Sequence, residues 1–472
     1  MSMAPAFTGS TVSVPASLWK KAFIFMGVVT LVLGAVITKD DPFPRWLLVA
    51  GALAGGVYFL RSGLLRSEVM LCLLVAYLPF SLEVPVDILP GVNLTNILIG
   101  MNLLLGMRKS KAESLLHQRP PLKTSLSIFV ILGLISILRG AGYGLEYLGE
   151  AGHEYFRKWL IPVALYFVYS KTVRDKETLK YIVVVLMAVV TLVGLMSIYE
   201  YMDTDDRVGG IFYQPNQLAA FFNYYMFIPF AFFFLNMRRI KSWAWLVPFL
   251  ICVRGVMVTF SRAGYLALAV SVYAITFFRS KKLLLLLGLL TAVVVLNPNF
   301  LPQGIRYRLG QTLEEDPGHQ SHAVHMGGKA LDQSSSDRVK VWAGALHMIQ
   351  EHPVFGIGYF LFESKIRHYY TGLKSHDPHN TYLHIAAEMG IPALLVFLWV
   401  FWKIFLEAHR LYRTTQDPFL KALALGFLAG FFGILISNLY GSRLNYSEVS
   451  SYFWILAALI FQARRLETNS HE

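Results

Sequence analysis

Charge is scarce in this chain. Only 15% of its 472 residues are Asp, Glu, Lys or Arg, where a soluble domain carries about 25%. That shortage excludes the two or three soluble domains that length alone would allow. Cysteine is scarcer still, with two residues. Cys72 and Cys252 both fall inside apolar runs, so they read as core residues and no disulfide framework is implied. Acidic residues are also few, 29 against 42 Lys and Arg, which leaves a net charge of +13. A basic balance can mean nucleic acid. Here most Lys and Arg sit in short loops beside apolar segments, where they fix orientation in a membrane, and no nucleic-acid partner is expected. Long polar stretches are missing too, except for one that runs from about Asn297 to Ala387.

What fills the chain is hydrophobic: 55% of residues, with a mean hydropathy of +0.51. Fourteen apolar segments can be placed, at about 22–38, 45–60, 69–82, 92–106, 124–138, 158–170, 180–200, 216–236, 243–260, 263–278, 283–297, 388–406, 420–438 and 450–463. The expectation is an all-α polytopic membrane protein. It divides into an N-terminal bundle of about eleven segments over 1–296, a large loop over 297–387, and C-terminal segments with a tail over 388–472. The first apolar run has no small-residue cleavage motif after it and reads as a retained helix.

Loop charges test the count. With the N-terminus inside, the inside loops hold 25 Lys and Arg and the short outside loops hold 8. A wrong helix count would scramble so strong an alternation. Both termini are therefore expected in the cytoplasm and the long polar loop outside. The basic residues left outside then need another reason. Arg207 lies in Asp205-Asp-Arg-Val-Gly-Gly-Ile-Phe-Tyr-Gln-Pro215-Asn216, and Arg262 in Thr259-Phe-Ser-Arg-Ala-Gly264. An arginine at the outer end of a helix suits an anionic partner; snorkelling to lipid headgroups is the plainer alternative. Pro215-Asn216 can begin a helix whose free backbone donors would suit a phosphate. Arg254 falls mid-run, as a second functional cation or a structural partner for Glu200.

Inside the polar loop, His319, His322 and His325 have metal-like spacing. Acidic or cysteine partners at fixed spacing are missing, so the segment reads as a loop and no metal is expected. The second half is patterned. Asp337 is placed to cap a helix whose apolar face would be Val339, Trp342, Leu346 and Ile349. His352-Pro353 should end it, Phe355-Gly-Ile-Gly-Tyr359 should turn, and a short helix should run through 360–370. His379 follows Pro378 and precedes Asn380-Thr381. Histidine titrates near neutrality and can take a proton from a hydroxyl. Alone, a loop histidine is usually just solvated; sharing a membrane side with Arg207 and Arg262 makes this one a candidate base.

Taken in order, five motifs resemble the bacterial O-antigen ligase and polymerase superfamily. They are Arg207-Val-Gly-Gly-Ile-Phe with Pro215-Asn216-Gln-Leu-Ala, Ser261-Arg262-Ala-Gly264, Asp337-Arg338-Val-Lys-Val-Trp342, His352-Pro353-Val-Phe-Gly356-Ile-Gly358, and His379-Asn380-Thr-Tyr-Leu383. Each is weak alone, and their shared order is specific. The resemblance implies a type-C glycosyltransferase-like helical bundle with a periplasmic helical cap, in a bacterial inner membrane. It implies a donor glycan on undecaprenyl pyrophosphate and, for a ligase, lipid A–core as acceptor. A repeat-unit polymerase or a protein O-oligosaccharyltransferase would share these motifs, and a lipid-linked glycan transporter is the reading from another class. Carried over, Arg207 and Arg262 would bind pyrophosphate and His379 would activate the acceptor. Arg338, Asn216 and Asn380 would support them. No metal, other cofactor or nucleotide sugar is implied, and the transfer should invert the anomeric carbon.

Overall fold

The computed structural model describes residues 67–82, 87–89, 92–110, 120–300, 306, 325–326, 329–330, 333–370 and 377–468. The first two expected segments, with the retained first helix, lie outside these residues, as do His319 and His322. In chain order the helices are α1 (Ser67–Tyr77), α2 (Leu94–Ser110), α3 (Lys123–Arg139), α4 (Leu145–Tyr155), α5 (Ile161–Thr172), α6 (Lys176–Thr204), α7 (Pro215–Tyr225), α8 (Phe227–Leu235), α9 (Leu246–Val258), α10 (Arg262–Arg279) and α11 (Lys281–Leu296). After the polar segment come α12 (Gln333–Glu351), α13 (Phe362–Tyr369), α14 (Thr381–Met389), α15 (Ile391–Thr414), α16 (Pro418–Leu439) and α17 (Ser447–Thr468). Two antiparallel strand pairs, Asp87–Leu89 with Val92–Asn93 and His325–Met326 with Lys329–Ala330, are too short to alter the class. The protein is an all-α polytopic membrane protein. Among the described residues six helices are long and apolar enough to cross a membrane, at Lys123–Tyr143, Lys176–Thr204, Pro215–Leu235, Ile240–Val258, Ile391–Thr414 and Pro418–Leu439.

Helix starts are written locally. Asp175 accepts from the Thr178 amide before α6, and Ser261 from the Gly264 amide before α10. Asn380 accepts from Tyr382 and Leu383 before α14, and Asp417 from Phe419 and Leu420 before α16. Each oxygen satisfies amides that the first helical turn leaves without a partner. The core is built on α16. Gly426, Gly430 and Gly433 line one face of it, and a Cβ added there would stand 2.5 Å from Ile228 Cα, 2.2 Å from Tyr224 O and 2.7 Å from Ser271 Oγ. Small residues at this spacing let two helix backbones touch, which is how helices pack where lipid removes the hydrophobic drive. α17 closes the core from the other side, with Val449, Tyr452, Phe453, Ile455 and Leu459 fully buried. α11 is the opposite case: none of its residues is buried.

Four expectations change. The segment before α5 is helical as well: α4 runs through a π-helical turn at Phe156–Leu160 straight into α5. Asp337 does not cap α12, which begins four residues earlier at Gln333. The buried stripe of α12 is Val341, Ala345 and Met348, while Val339 and Leu346 are exposed. Arg254 is not mid-span: it lies one turn from the end of α9, exposed, over the Tyr201 ring at 5.1 Å. The placement of Cys252 in the core holds, and Cys72 is half-buried.

Candidate functional site

The first two arginine motifs meet at the ends of α6, α7, α9 and α10. Arg207 Nε donates to Thr259 O at 2.8 Å, and its Nη2 donates to Asn216 Oδ1 at 3.1 Å. The same Asn216 oxygen accepts from Ser261 Oγ at 2.7 Å, and Ser261 Oγ in turn caps α10, whose first residue is Arg262. Asn216 therefore ties Arg207 to the Ser261-Arg262 turn. Gly264 permits the junction, since a Cβ there would come within 2.7 Å of Ala219 Cβ on α7. Pro215 occupies the first turn of α7, and no side chain among the described residues caps that end.

His379 is held by a second group. Its amide donates to Asp377 Oδ1 at 2.6 Å, a turn that asparagine and aspartate favour, and its Nδ1 faces the same carboxylate at 3.7 Å. Asp377 Oδ1 also accepts from Ser442 Oγ at 2.8 Å. From the loop helix, Trp342 Nε1 donates to Pro378 O at 2.8 Å, so α12 grips the His379 turn from above. From below, Thr381 Oγ1 donates to Asn438 Oδ1 at 2.6 Å, and that oxygen also takes the Leu444 amide at 3.0 Å. Asn380 spends its side-chain oxygen on the α14 cap. The Phe355–Tyr359 turn seats on the far end of α14: the Ile357 amide donates to Ala387 O and the Gly358 amide to Glu388 O. Gly356 has φ +66°, which glycine adopts without strain.

The electrostatics suit a neutral imidazole. Burial pushes His379 below its usual pKa; Asp377 opposes that, and the nearby Arg338 and Arg443 reinforce it. Asp377 is held below the ordinary carboxylate range: its burial raises it, but His384, His379 and the Ser442 hydroxyl outweigh that. Among the described residues, non-glycine positive φ occurs at Asp205, Tyr213, Phe260, Phe360 and His379. Every one lies in or beside a motif singled out above, and such conformations concentrate where surrounding structure enforces a functional geometry.

Asn438 links the His379 group to α7: its Oδ1 takes the Thr381 hydroxyl and its Nδ2 donates to Tyr224 OH at 2.7 Å. Tyr446 stands within electrostatic reach of Asp377, Arg443 and Lys158. The structure thus brings Arg207, Asn216 and the Arg262 turn into one network, and His379, Asn380 and Arg338 into another beside it. Sequence reasoning did not assign Asp377, Ser442, Tyr446 or the His384–Glu388 pair, whose nearest atoms are 3.4 Å apart. Asp377 could have been found from its place two residues before His379, and His384 and Glu388 from their four-residue spacing just after it; Ser442 and Tyr446 come from a turn more than sixty residues later and left no local signal. Among the described residues no group of three or more His, Cys, Asp or Glu stands together to hold a metal ion.

Residues 246–398 match the family model described as O-antigen ligase. The match covers Arg262, Arg338, His379 and Asn380 and stops short of Arg207 and Arg443. Similarity over this stretch points to an O-antigen ligase-type or polymerase-type activity. No curated protein matches the chain.

Proposed function

We propose, on the premise that residues 246–398 make this an O-antigen ligase-like protein, that it is a metal-independent inner-membrane transferase. It would move a glycan from undecaprenyl pyrophosphate to lipid A–core. Residues 333–370 and 377–387 of the polar loop form a cap on the periplasmic side. Arg207 and Arg262 receive the pyrophosphate, and Asn216 fixes the first against the turn that carries the second. Their charge meets the negative charge that grows on the leaving group, and such positioned electrostatics is usually the largest catalytic contribution. Two arginines can fill this role without a metal because the guanidinium matches phosphate geometry. The acceptor hydroxyl loses its proton to His379 as its oxygen bonds to the anomeric carbon. The carbon–oxygen bond to pyrophosphate breaks on the opposite face, and the configuration inverts. With Nδ1 turned to Asp377, Nε2 is the nitrogen that takes the proton.

The observation that carries this reading is the His379 imidazole turned to the Asp377 carboxylate, tied through Thr381, Asn438 and Tyr224 to α7, the helix whose first turn carries Asn216 of the arginine network. The test is transfer by purified protein from a polyprenyl-pyrophosphate glycan to lipid A–core. His379→Ala should lose about 10²–10⁴-fold in rate while folding normally, and chelator should leave the wild type unaffected. A strict requirement for added divalent metal, or near-normal transfer by His379→Ala, overturns the mechanism. Elongation of the donor with no other acceptor present would instead make the protein a polymerase.

A further inference from the structure

The basic side chains on the outer loops were the exceptions to the charge pattern, and most have protein partners. Arg139 contacts His352 Nδ1 at 3.1 Å. Arg157 and Lys158 pair with Glu154 at 3.1 and 2.8 Å. Arg207 is bonded to Thr259 and Asn216. Arg443 differs. It lies in the turn between α16 and α17, is 5% exposed, and its guanidinium makes no hydrogen bond or ion pair among the described residues. It does not snorkel, because a snorkelling arginine keeps its head in water or among headgroups.

The surroundings are built for it. A Cβ at Gly441 would stand 2.3 Å from Arg443 Nε and 2.7 Å from Nη2, so that glycine leaves the room the guanidinium occupies. Tyr446, Asp377 and Tyr224 are the titratable groups that face it. Asp377 is the one carboxylate of the three, and its Oδ1 is already committed to the His379 amide and the Ser442 hydroxyl. His379 meanwhile is flanked by two cations, Arg338 and Arg443. The Arg443 guanidinium therefore sits in a largely buried place with no carboxylate among the described residues bonded to it, which is costly until an anion arrives.

We infer that Arg443 is an anion-binding residue that seats a phosphate or carboxylate of the acceptor sugar beside His379. The assignment to the acceptor rests on the reading of His379 as its base, and on position. Arg443 groups with His379 at the α16–α17 turn, while Arg207 and the Arg262 turn form the separate network at the α6–α7 and α9–α10 junctions. An acidic group on the acceptor would then dock a sugar whose hydroxyl faces the imidazole.

The decisive measurement compares phosphorylated lipid A–core with the same acceptor after removal of its phosphates. A charge-assisted hydrogen bond contributes enough for about a 10- to 100-fold effect. Wild type should show that loss in kcat/KM on dephosphorylation. Arg443→Gln should show a similar rise in KM for the phosphorylated acceptor, no rise in KM for the donor, and little remaining discrimination; Arg443→Lys should restore part of it. A rise in donor KM would move Arg443 to the pyrophosphate. An equal fall in kcat with both acceptors, unrescued by lysine, would make it structural. Either result overturns the inference. Should Arg443→Gln fail to fold, Gly441→Ala displaces the guanidinium and must give the same acceptor effect. A binding arm separates this inference from the transfer reading. In an Arg207→Gln background in detergent, glucose 1-phosphate but not glucose should raise the melting temperature, and adding Arg443→Gln should abolish that rise. A rise that survives in the double variant overturns the site whether or not transfer is found.

Discussion

His379 owes its candidacy to what surrounds it. Burial lowers its pKa from the usual 6.5, Asp377 works against that, and Arg338 and Arg443 work with it. The base must be neutral to accept a proton, so the acidic limb of kcat/KM should lie below pH 6.5. Asp377→Asn removes the one neighbour that favours the imidazolium, and the limb should move to still lower pH. A pH–rate profile of the two proteins checks this; a limb that moves upward in the variant removes Asp377 from the pairing. The two arginine motifs and His379 were legible in the sequence because each sits beside a Pro or Gly break, on the side where basic residues are rare. Asp377 was in plain view but unassigned, since a carboxylate next to a histidine in a loop has no distinctive spacing. Arg443 was counted as a loop charge, and its burial is a tertiary fact. It follows from Gly441 and from the way Asn438, Thr381 and Leu444 pull the α16–α17 turn under α14.

Among elements, α14 ties together several others. It carries His384, whose Nε2 faces Glu388 Oε1 at 3.4 Å and whose Nδ1 meets Asn445 Nδ2 at 3.2 Å. Glu388 Oε1 also takes the Phe362 amide, and the Glu388 carbonyl takes the Ser136 hydroxyl at 2.7 Å. One buried pair thus joins α3, α13, α14 and the α16–α17 turn. Burial by itself would lower His384, but Glu388 and Asp377 outweigh it and its pKa is raised above 6.5. A raised histidine contributes stability that is fully present below pH 6.5 and lost as pH rises through the folded value. Thermal melts should therefore show wild type losing stability as pH rises above about 6.5, with the loss much smaller in His384→Gln; parallel curves would show the pair does not ionise as described. Glu388→Ala leaves a buried imidazolium without its counter-ion and should cost about 3–5 kcal/mol. The helices themselves were largely readable: each of the twelve apolar segments within the described residues coincides with a helix. The stripe of α12 was misread because the count followed large apolar side chains. The face that packs is Val341, Ala345 and Met348 against Phe362, Ile366 and Ala387, with Gly344 letting α13 close in, since a Cβ there would meet Ile366 Cδ1 at 2.3 Å.

At the scale of the molecule, the alternation of loop charge predicts that α13 and His379 lie on one side of the membrane and the α15–α16 turn on the other. With Cys252 buried and Cys72 half-buried, the native thiols give a low background for labelling. His368→Cys, exposed on α13, should react with a membrane-impermeant thiol reagent applied from the periplasmic side; Gln416→Cys, exposed between α15 and α16, should not. The reverse pattern would invert the protein and with it the access of any outer-leaflet donor. The bundle's centre was not legible from hydropathy, because α6, a different helix, is the most apolar of the spans. The rank of α16 comes from Gly426, Gly430 and Gly433, which bring its main chain onto α7 and α8.

Main-chain contact of that kind leaves no side-chain cushion to compress, so α16 and the broken span beside it can neither slide nor part by small steps. A seam for a lipid-borne substrate would have to lie elsewhere. α11, which has no buried residue, is the helix among the described residues whose displacement would uncover the least core.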